Sequence, residues 1–343
     1  MTPFSTGGIQ IMHLKLRRAT VFAAMAALCT LANAQLTPKE TATQTPWPTR
    51  TVRIIVGFPA GSSPDLTART LADPLAKALG QAVIVENKVG AGGNIAADYV
   101  ARATDDHTIG LMINGNMTIA KLLNPKLNYD PLKDLTPISL IGVSPLVLTA
   151  PVGVPGSSAQ EFLAAARKAG DQWSYGTPGV GTVGHIGMEW LKSKTGINPV
   201  HVPYPGYPQV ANGMLGGQLQ LAMLPPALAM AQIKAGKLRA IGVTSSGRST
   251  LVPELPSLSE AGVPGFNLEI WNAIAAPNSL PKPVVAKLAK LFSDIARTPE
   301  MREKLFIQGW QVLGTSSEGL ANRIKLDTAM LGGVIAAQGI KAE

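Results

Sequence analysis

Residues 54–65, Ile54-Ile55-Val56-Gly57-Phe58-Pro59-Ala60-Gly61-Ser62-Ser63-Pro64-Asp65, run an apolar strand into a loop of small residues that opens a helix. Gly57 and Gly61 allow backbone conformations closed to other residues, so consecutive N–H groups can point at one spot. Ser63 is the expected N-cap with Pro64 at the first helical position, which turns the free amides and positive dipole end of the helix toward the same spot. A carboxylate suits such a place. The same residues also read as an ordinary capped strand-to-helix turn, which every α/β protein contains.

Outward from this unit, short apolar runs alternate with helical patterns. Strands are expected at Val52–Phe58, Val83–Glu86 and Ile109–Ile113, with helices at Pro64–Leu79, bent by Pro74, and Asn94–Ala103. The alternation predicts an α/β fold with mostly parallel sheets. A second α/β unit begins with strand Leu146–Ala150 and a Ser158–Glu161 capping box. It continues through strand Trp173–Tyr175, helix Gly184–Thr195, strand Val200–Tyr204, and the helix–strand pairs Gln209–Leu215 with Leu219–Leu224 and Leu228–Ala235 with Leu238–Thr244. Beyond Phe266–Ala275 the chain turns helical, near Val284–Arg297, Pro299–Gln308 and Glu318–Ala337. So long a last helix is expected to pack back on an earlier domain.

The first 34 residues read as an export signal: Lys15, Arg17 and Arg18, an apolar run from Ala19 to Leu31, and Ala32-Asn33-Ala34 before a cut ahead of Gln35. Met12 is an alternative start. The run is shorter than the ~20 apolar residues a membrane span needs, and no later segment approaches it, so a soluble periplasmic chain is expected. Cys29, the sole cysteine, lies inside this run, and Leu28 before it fits a lipid-anchor signal poorly. Its removal leaves no disulfide, thiol nucleophile or thiolate metal site. The full chain carries +9, and residues 1–34 hold 3 of its 30 Lys and Arg and no acid, leaving +6. That surplus suits anionic small molecules, whereas the scattered Lys and Arg make nucleic acid a poor partner. Residues 35–47, rich in Thr, Pro and Gln, read as a flexible lead-in, and the remainder exceeds what one core usually serves.

Gly179-Val180-Gly181-Thr182-Val183-Gly184 matches the dinucleotide fingerprint in letters, yet no acidic residue follows between Asn198 and Pro208 to hold a ribose. The better reading is a second anion grip at a helix N-terminus, with the Thr177 and Thr182 hydroxyls beside the amides. The positive dipole end at that helix start disfavours protonation of His185, which is expected to be a neutral hydrogen-bond donor or helix-start contact; the sharper alternative, a catalytic base, lacks a placed nucleophile. His107, His185 and His201 are isolated in sequence, so no metal site and no cofactor are expected. The loop from Glu86 to Asn94 lacks a P-loop ending and reads as a structural turn with Asn94 as N-cap. Asn114, Gly115 and Asn116 follow a strand's carboxyl end, where open α/β sheets bind ligands. Tyr204, Tyr207 and Trp271 near strand ends are candidate walls.

Taken in order, these motifs resemble the Bug-type extracytoplasmic receptors of tripartite tricarboxylate transporters. The resemblance rests on Trp47-Pro48 before Ile54–Gly61, on Val85-Glu86-Asn87-Lys88 with Gly90–Ile95, and on Tyr129-Asp130-Pro131 with Lys133-Asp134-Leu135. It continues through Gly181-Thr182 with His185, His201-Val202-Pro203-Tyr204, Leu215–Gln218, Ile233–Arg239 and Glu260–Phe266. It implies a two-domain Venus-flytrap protein with two crossing hinge strands: domain 1 from residues 48–146 plus 272–343, and domain 2 from 147–271. It also implies a carboxylate held by the loops Phe58–Ser63 and Thr177–Thr182, with bridging waters.

The candidate site thus comprises Phe58, Pro59, Ala60, Gly61, Ser62, Ser63, Asp65, Asn114, Asn116, Thr177, Gly179, Gly181, Thr182, His185, Tyr204, Tyr207, Pro225 and Trp271. One departure bears on the ligand. Where the family shows an apolar residue and then aspartate after Gly217-Gln218, this chain has Leu219-Gln220, followed by an apolar run to Pro225-Pro226. Loss of an acidic partner disfavours an ammonium group and favours an aromatic or otherwise apolar carboxylate, or a dicarboxylate. The expected protein is a monomer that performs no chemistry and passes its ligand to membrane transporter subunits. A receptor for a sensor kinase, or an exported hydrolase, would carry the same signal peptide.

Overall fold

The structure, a computed structural model, describes residues 47–340. The export signal, its cleavage point and most of the lead-in lie outside the described residues. Strand β1 (Val52–Val56) buries Val52, Ile54, Ile55 and Val56 and lies between β2 (Val83–Asn87) and β3 (Thr108–Ile113), parallel to both. Ile54 is level with Val85 on one side and Ile109 on the other. Between β1 and β2 runs α1 (Ser63–Leu79), with Pro74 in its interior, which buries Ala68, Leu71, Ala72 and Leu75 and ends at Gly80 in the left-handed region. Helix α2 (Asn94–Ala101) then leads to β3.

Two caps fall one residue earlier than the sequence suggested. Ser62, not Ser63, is the N-cap of α1, which puts Pro64 at the second position. Gly93, not Asn94, precedes α2, and Asn94 instead accepts hydrogen bonds from Tyr129 and Asn116 through Oδ1. In both places adjacent residues could serve as caps, and packing of the loop decides.

After β3, a wide π turn (Gly115–Ile119) and short α3 (Ala120–Leu123) lead to β4 (Leu135–Pro145), a strand absent from the sequence reading. β4 continues through Leu146 directly into β5 (Val147–Pro151), which belongs to another sheet. That sheet is completed by β6 (Ser174–Thr177), β7 (Val200–Pro203), β8 (Leu221–Leu224) and β9 (Leu238–Val243) in the order β7-β6-β8-β5-β9. Its helices are α4 (Ala159–Ala169), which carries the expected Ser158–Glu161 box, α5 (Val183–Thr195), α6 (Tyr207–Leu215) and α7 (Pro226–Lys234). The chain returns by β10 (Glu269–Pro277), and α8 (Lys282–Ala296), α9 (Pro299–Ile307), β11 (Gln311–Val312) and α10 (Ser317–Gln338) follow. The first sheet reads β11-β4-β10-β3-β1-β2.

Both sheets are mixed. Parallel pairing is confined to the strands joined by helices, β2-β1-β3 and β7-β6-β8, while β4, β5 and β10 pair antiparallel. The mostly parallel sheets expected from alternation are corrected by these long connecting strands, which enter each sheet without a crossover helix.

Thr244 binds the two passages together. Its N–H donates to Leu146 O at 2.8 Å and its hydroxyl accepts from Leu146 N at 2.8 Å. The same hydroxyl donates to Leu268 O at 2.7 Å, and Leu268 N donates back to Thr244 O at 2.8 Å. Fully buried, this threonine satisfies backbone groups of both connections. Helix α10 also bridges: Leu320 and Ile324 join the core around Trp271 and Leu140, whereas Leu331 and Ile335 join the core around Phe162 and Met223.

Candidate functional site

Helices α1 and α5 direct their N-termini at one small chamber. Its wall includes Ser62, Ser63 and Pro64 from the first helix start and Pro178, Thr182 and Val183 from the second. Phe58, Ile113, Asn114, Tyr207, Ile270, Trp271, Asn272 and Trp310 complete it, and none of the lining residues is charged. The free space is about 30 Å³, room for roughly one or two waters. A larger cavity of about 600 Å³ shares Pro178 and lies between residues 89–94, Gly57, Ala120, Leu123 and Asn124 on one side and 178–181 with 203–205 on the other.

Glycine makes this apposition possible. A Cβ at Gly92 would fall 2.8 Å from Val180 O, and one at Gly115 would fall 3.0 Å from Gly181 O and 3.5 Å from Thr182 Cα. The glycine-dense loop at Gly92 and the turn at Gly115 therefore meet the loop that opens α5 backbone to backbone.

The candidate residues divide accordingly. Phe58, Ser62, Ser63, Asn114, Thr182, Tyr207 and Trp271 line the chamber, and Gly179, Gly181 and Tyr204 line the larger cavity. Trp271 presents its ring, because its indole N–H is donated to buried Asp327 at 2.6 Å. Burial pushes the Tyr207 phenol far above its usual range, so it stays protonated.

Pro59, Ala60, Gly61, Asp65, Asn116, Thr177, His185 and Pro225 line neither space. Several of them brace the loops instead. Gly61 N donates to Asp65 Oδ2 at 2.9 Å, Asn87 Nδ2 donates to Asp65 Oδ1 at 2.8 Å, and Arg69 pairs with the same carboxylate. Burial alone would raise the Asp65 pKa, but the hydrogen bonds from Arg69, Asn87 and the Gly61 amide outweigh it and hold the carboxyl below its usual range. Asn116 Nδ2 donates to Gly92 O, and Thr177 Oγ1 accepts from Gly179 N. His185 is a helix-start contact that accepts rather than donates there, taking Gly181 N–H on Nδ1 at 3.4 Å. His185 and His201, isolated in sequence, stack at 4.5 Å and line a separate polar hollow with Glu189 and Lys192. Gln220 caps strand β6, accepting from Ser174 N at 2.8 Å, and reaches neither cavity. The missing acidic side chain is therefore no guide to what the chamber accepts.

Asn272, Trp310, Ile113, Ile270 and the glycine-dense loop were not among the sequence candidates. That loop, expected as a plain turn, forms one wall of the larger cavity. Four buried polar atoms on chamber-lining residues lack a hydrogen-bond partner: Ser62 Oγ, Asn114 Oδ1, Asn272 Oδ1 and Trp310 Nε1.

Residues 67–340 match the family model described as the tripartite tricarboxylate transporter family receptor. The chain belongs to that family. Among solved members it is similar to Rpa4515 of R. palustris with adipate, at 29% identity and a TM-score of 0.83 over 86% of this chain and 99% of the other. It is likewise similar to MatC from Rhodopseudomonas palustris with bound malate (31%, TM-score 0.80, 84% and 100%). The periplasmic binding protein BugD gives 33% identity and a TM-score of 0.80 over 87% and 100%. These family structures share the two-domain α/β architecture of the present chain.

Proposed function

We propose that this protein is a periplasmic solute receptor that closes on one organic carboxylate and delivers it, unaltered, to the membrane subunits of a tripartite tricarboxylate-type transporter. The observation that carries the reading is the pair of helix N-termini facing one enclosed chamber with no charged side chain on its wall. Backbone amides and helix dipoles then supply the positive potential that holds the anion. Relatives solved with adipate and malate support a carboxylate. A binding role without chemistry fits the wall, where the Ser62 hydroxyl has no base beside it.

The two lobes are taken to divide at residues 146/147 and 271/272; the change of sheet between β4 and β5 supports the first boundary, whereas β10 pairs with β4 of the first sheet from Glu269 onward, so the return falls at or just before the second. Closure draws its energy from the ligand's differential affinity for the closed form. The receptor acts as a monomer, without cofactor or nucleic acid. Calorimetry of the chain from residue 35 onward against aliphatic and aromatic mono- and dicarboxylates tests the reading. One site per chain is expected for at least one acid, and failure across the whole panel would refute it.

A further inference from the structure

Resting on the receptor reading, two histidines outside both cavities decide when the loop that opens α5 can hold an anion. Thr182, the N-cap of α5, makes no side-chain cap bond. The cap comes instead from His185, the third helical residue, whose Nδ1 accepts the Gly181 N–H at 3.4 Å. Glutamate or glutamine makes this kind of reach-back in an ordinary capping box. A backbone N–H can only donate, so Nδ1 is the unprotonated nitrogen and the neutral ring carries its proton on Nε2. His201 lies level with Tyr175 across the β6–β7 pair, and its Nε2 stands 2.7 Å from Thr177 Oγ1. That hydroxyl accepts the Gly179 N–H at 3.3 Å, and Thr182 Oγ1 donates to Gly179 O at 2.7 Å. The rings stack, His185 on His201 at 4.5 Å and His201 on Tyr175 at 4.9 Å. Each imidazole thus fixes one end of a loop in which Gly179 and Gly181 hold positive φ and which sends Thr182 to the chamber wall.

Protonation undoes one of these anchors. A proton on His185 Nδ1 turns the acceptor into a second donor facing the Gly181 N–H, and it sets a positive charge at the positive end of the α5 dipole. His185 is 3% exposed, so little water reaches it to replace the lost bond. At His201 the change is milder, because Thr177 can accept from Nε2 while giving its own proton to Gly179 O. Rings this close titrate as a pair rather than singly. The other ionisable groups around the stack are Glu189 and Lys192 on α5, 2.9 Å apart, Asp171 in the turn after α4, and Tyr175 on β6, whose hydroxyl donates to Glu189. The end of α10 brings uncharged Gln338 and Ile340, and the chamber wall is uncharged. Glu189, one turn along the helix from His185, is the carboxylate that draws a proton to that ring. We propose that His185 is a positioning residue for the anion-binding loop and makes binding conditional on its neutral ring, so that acidification releases the carboxylate.

A positive charge near the site would by itself tighten anion binding, so the sign of the pH effect separates loop positioning from simple attraction. Calorimetry of the chain from residue 35 onward with malate and with adipate should show affinity falling about fivefold or more from about pH 7.5 to about pH 5.5. His185→Asn puts an amide oxygen where Nδ1 stood and does not titrate, so the fall should shrink to about twofold or less, the remainder being the ligand's own protonation. His185→Phe keeps the stack without the acceptor and should bind weakly at every pH. Amide hydrogen exchange on the ligand-free protein reads the same coupling: protection of the Gly181 N–H should be lost as the His185 ring charges and stay level in His185→Asn. Affinity that rises on acidification, a His185→Asn protein that keeps the wild-type fall, or Gly181 protection indifferent to the charge on His185 would overturn the assignment while leaving a carboxylate receptor intact. No binding by either acid at any pH would instead count against the receptor reading, and the exchange measurement then decides the proposal alone. The wild-type profiles stand by themselves should the variants fail to fold.

Discussion

Replacing Gly115 by alanine isolates the energetics of lobe closure. The new methyl group would stand 3.0 Å from Gly181 O and 3.5 Å from Thr182 Cα on the opposite lobe, and 3.3 Å from Ile113 Cδ1 on its own. The isoleucine tip can rotate away, whereas Gly181 O is backbone and yields only if the lobes part. Overpacking of this kind costs about 1–3 kcal/mol. Gly115 has no positive φ and lies in helical backbone, where alanine is accommodated at least as well as glycine. The penalty therefore attaches to the closed form alone. Since 1.4 kcal/mol is tenfold in affinity, ligand binding should weaken by about 5- to 150-fold while the thermal midpoint stays level or rises. Titration calorimetry beside a melting curve reads the two quantities separately. Gly247→Ala, placed where a Cβ meets nothing within 4 Å, serves as the control. Unchanged affinity in a folded Gly115→Ala protein would refute the view that these loops must touch when ligand is held.

Three further outcomes are expected. Asp65→Asn loses the charge-assisted bonds to the Gly61 amide and Arg69, and urea unfolding should report a destabilisation of about 2 kcal/mol. Because its folded pKa lies below the unfolded value near 3.9, Asp65 contributes stability that is fully present above about pH 5 and disappears as pH falls through the folded pKa. The gap between wild type and Asp65→Asn in denaturant midpoint should therefore be constant above about pH 5 and narrow progressively as pH is lowered below about 4. Thr244→Val keeps shape but strips a partner from Leu146 N and Leu268 O, for a loss of about 2–4 kcal/mol by the same measurement.

The β1–loop–α1 unit was legible because its apolar run, small-residue loop and proline each point to the same geometry. The late helices were legible through their spacing, and the Ser158–Glu161 box through its letters. β4 was hidden, since Pro137, Ser139, Gly142, Ser144 and Pro145 break up its 11 residues. What makes it a strand is long-range pairing with β10, irregular at Asn272/Ala273 and Ile274/Ala275, which no local pattern announces. The cap of α1 was misplaced by one because Ser62 and Ser63 are equivalent locally, and neither signals that Ser62 forms no side-chain cap bond. In the site, sequence found both helix starts. It missed Asn272 and Trp310, which line the chamber. An asparagine inside an apolar strand declares itself only once its neighbours are known. Conversely Asp65, Asn116 and His185 looked like ligand contacts because they sit beside the loops they hold in place.

Helix α10 gives the two-lobed body an unusual tether. With Leu320 and Ile324 rooted in one core and Leu331 and Ile335 in the other, any widening of the gap must either flex this rod or pull its distal turns loose. The turns between Ile324 and Leu331 join the two anchorages and are the part of the rod that must bend, while the Gly332-Gly333 pair beyond Leu331 weakens only its hold on the second core. If closure moves the two cores relative to each other, this helix moves with them, so a fluorophore attached near residue 338 should register ligand occupancy from outside the binding cavity.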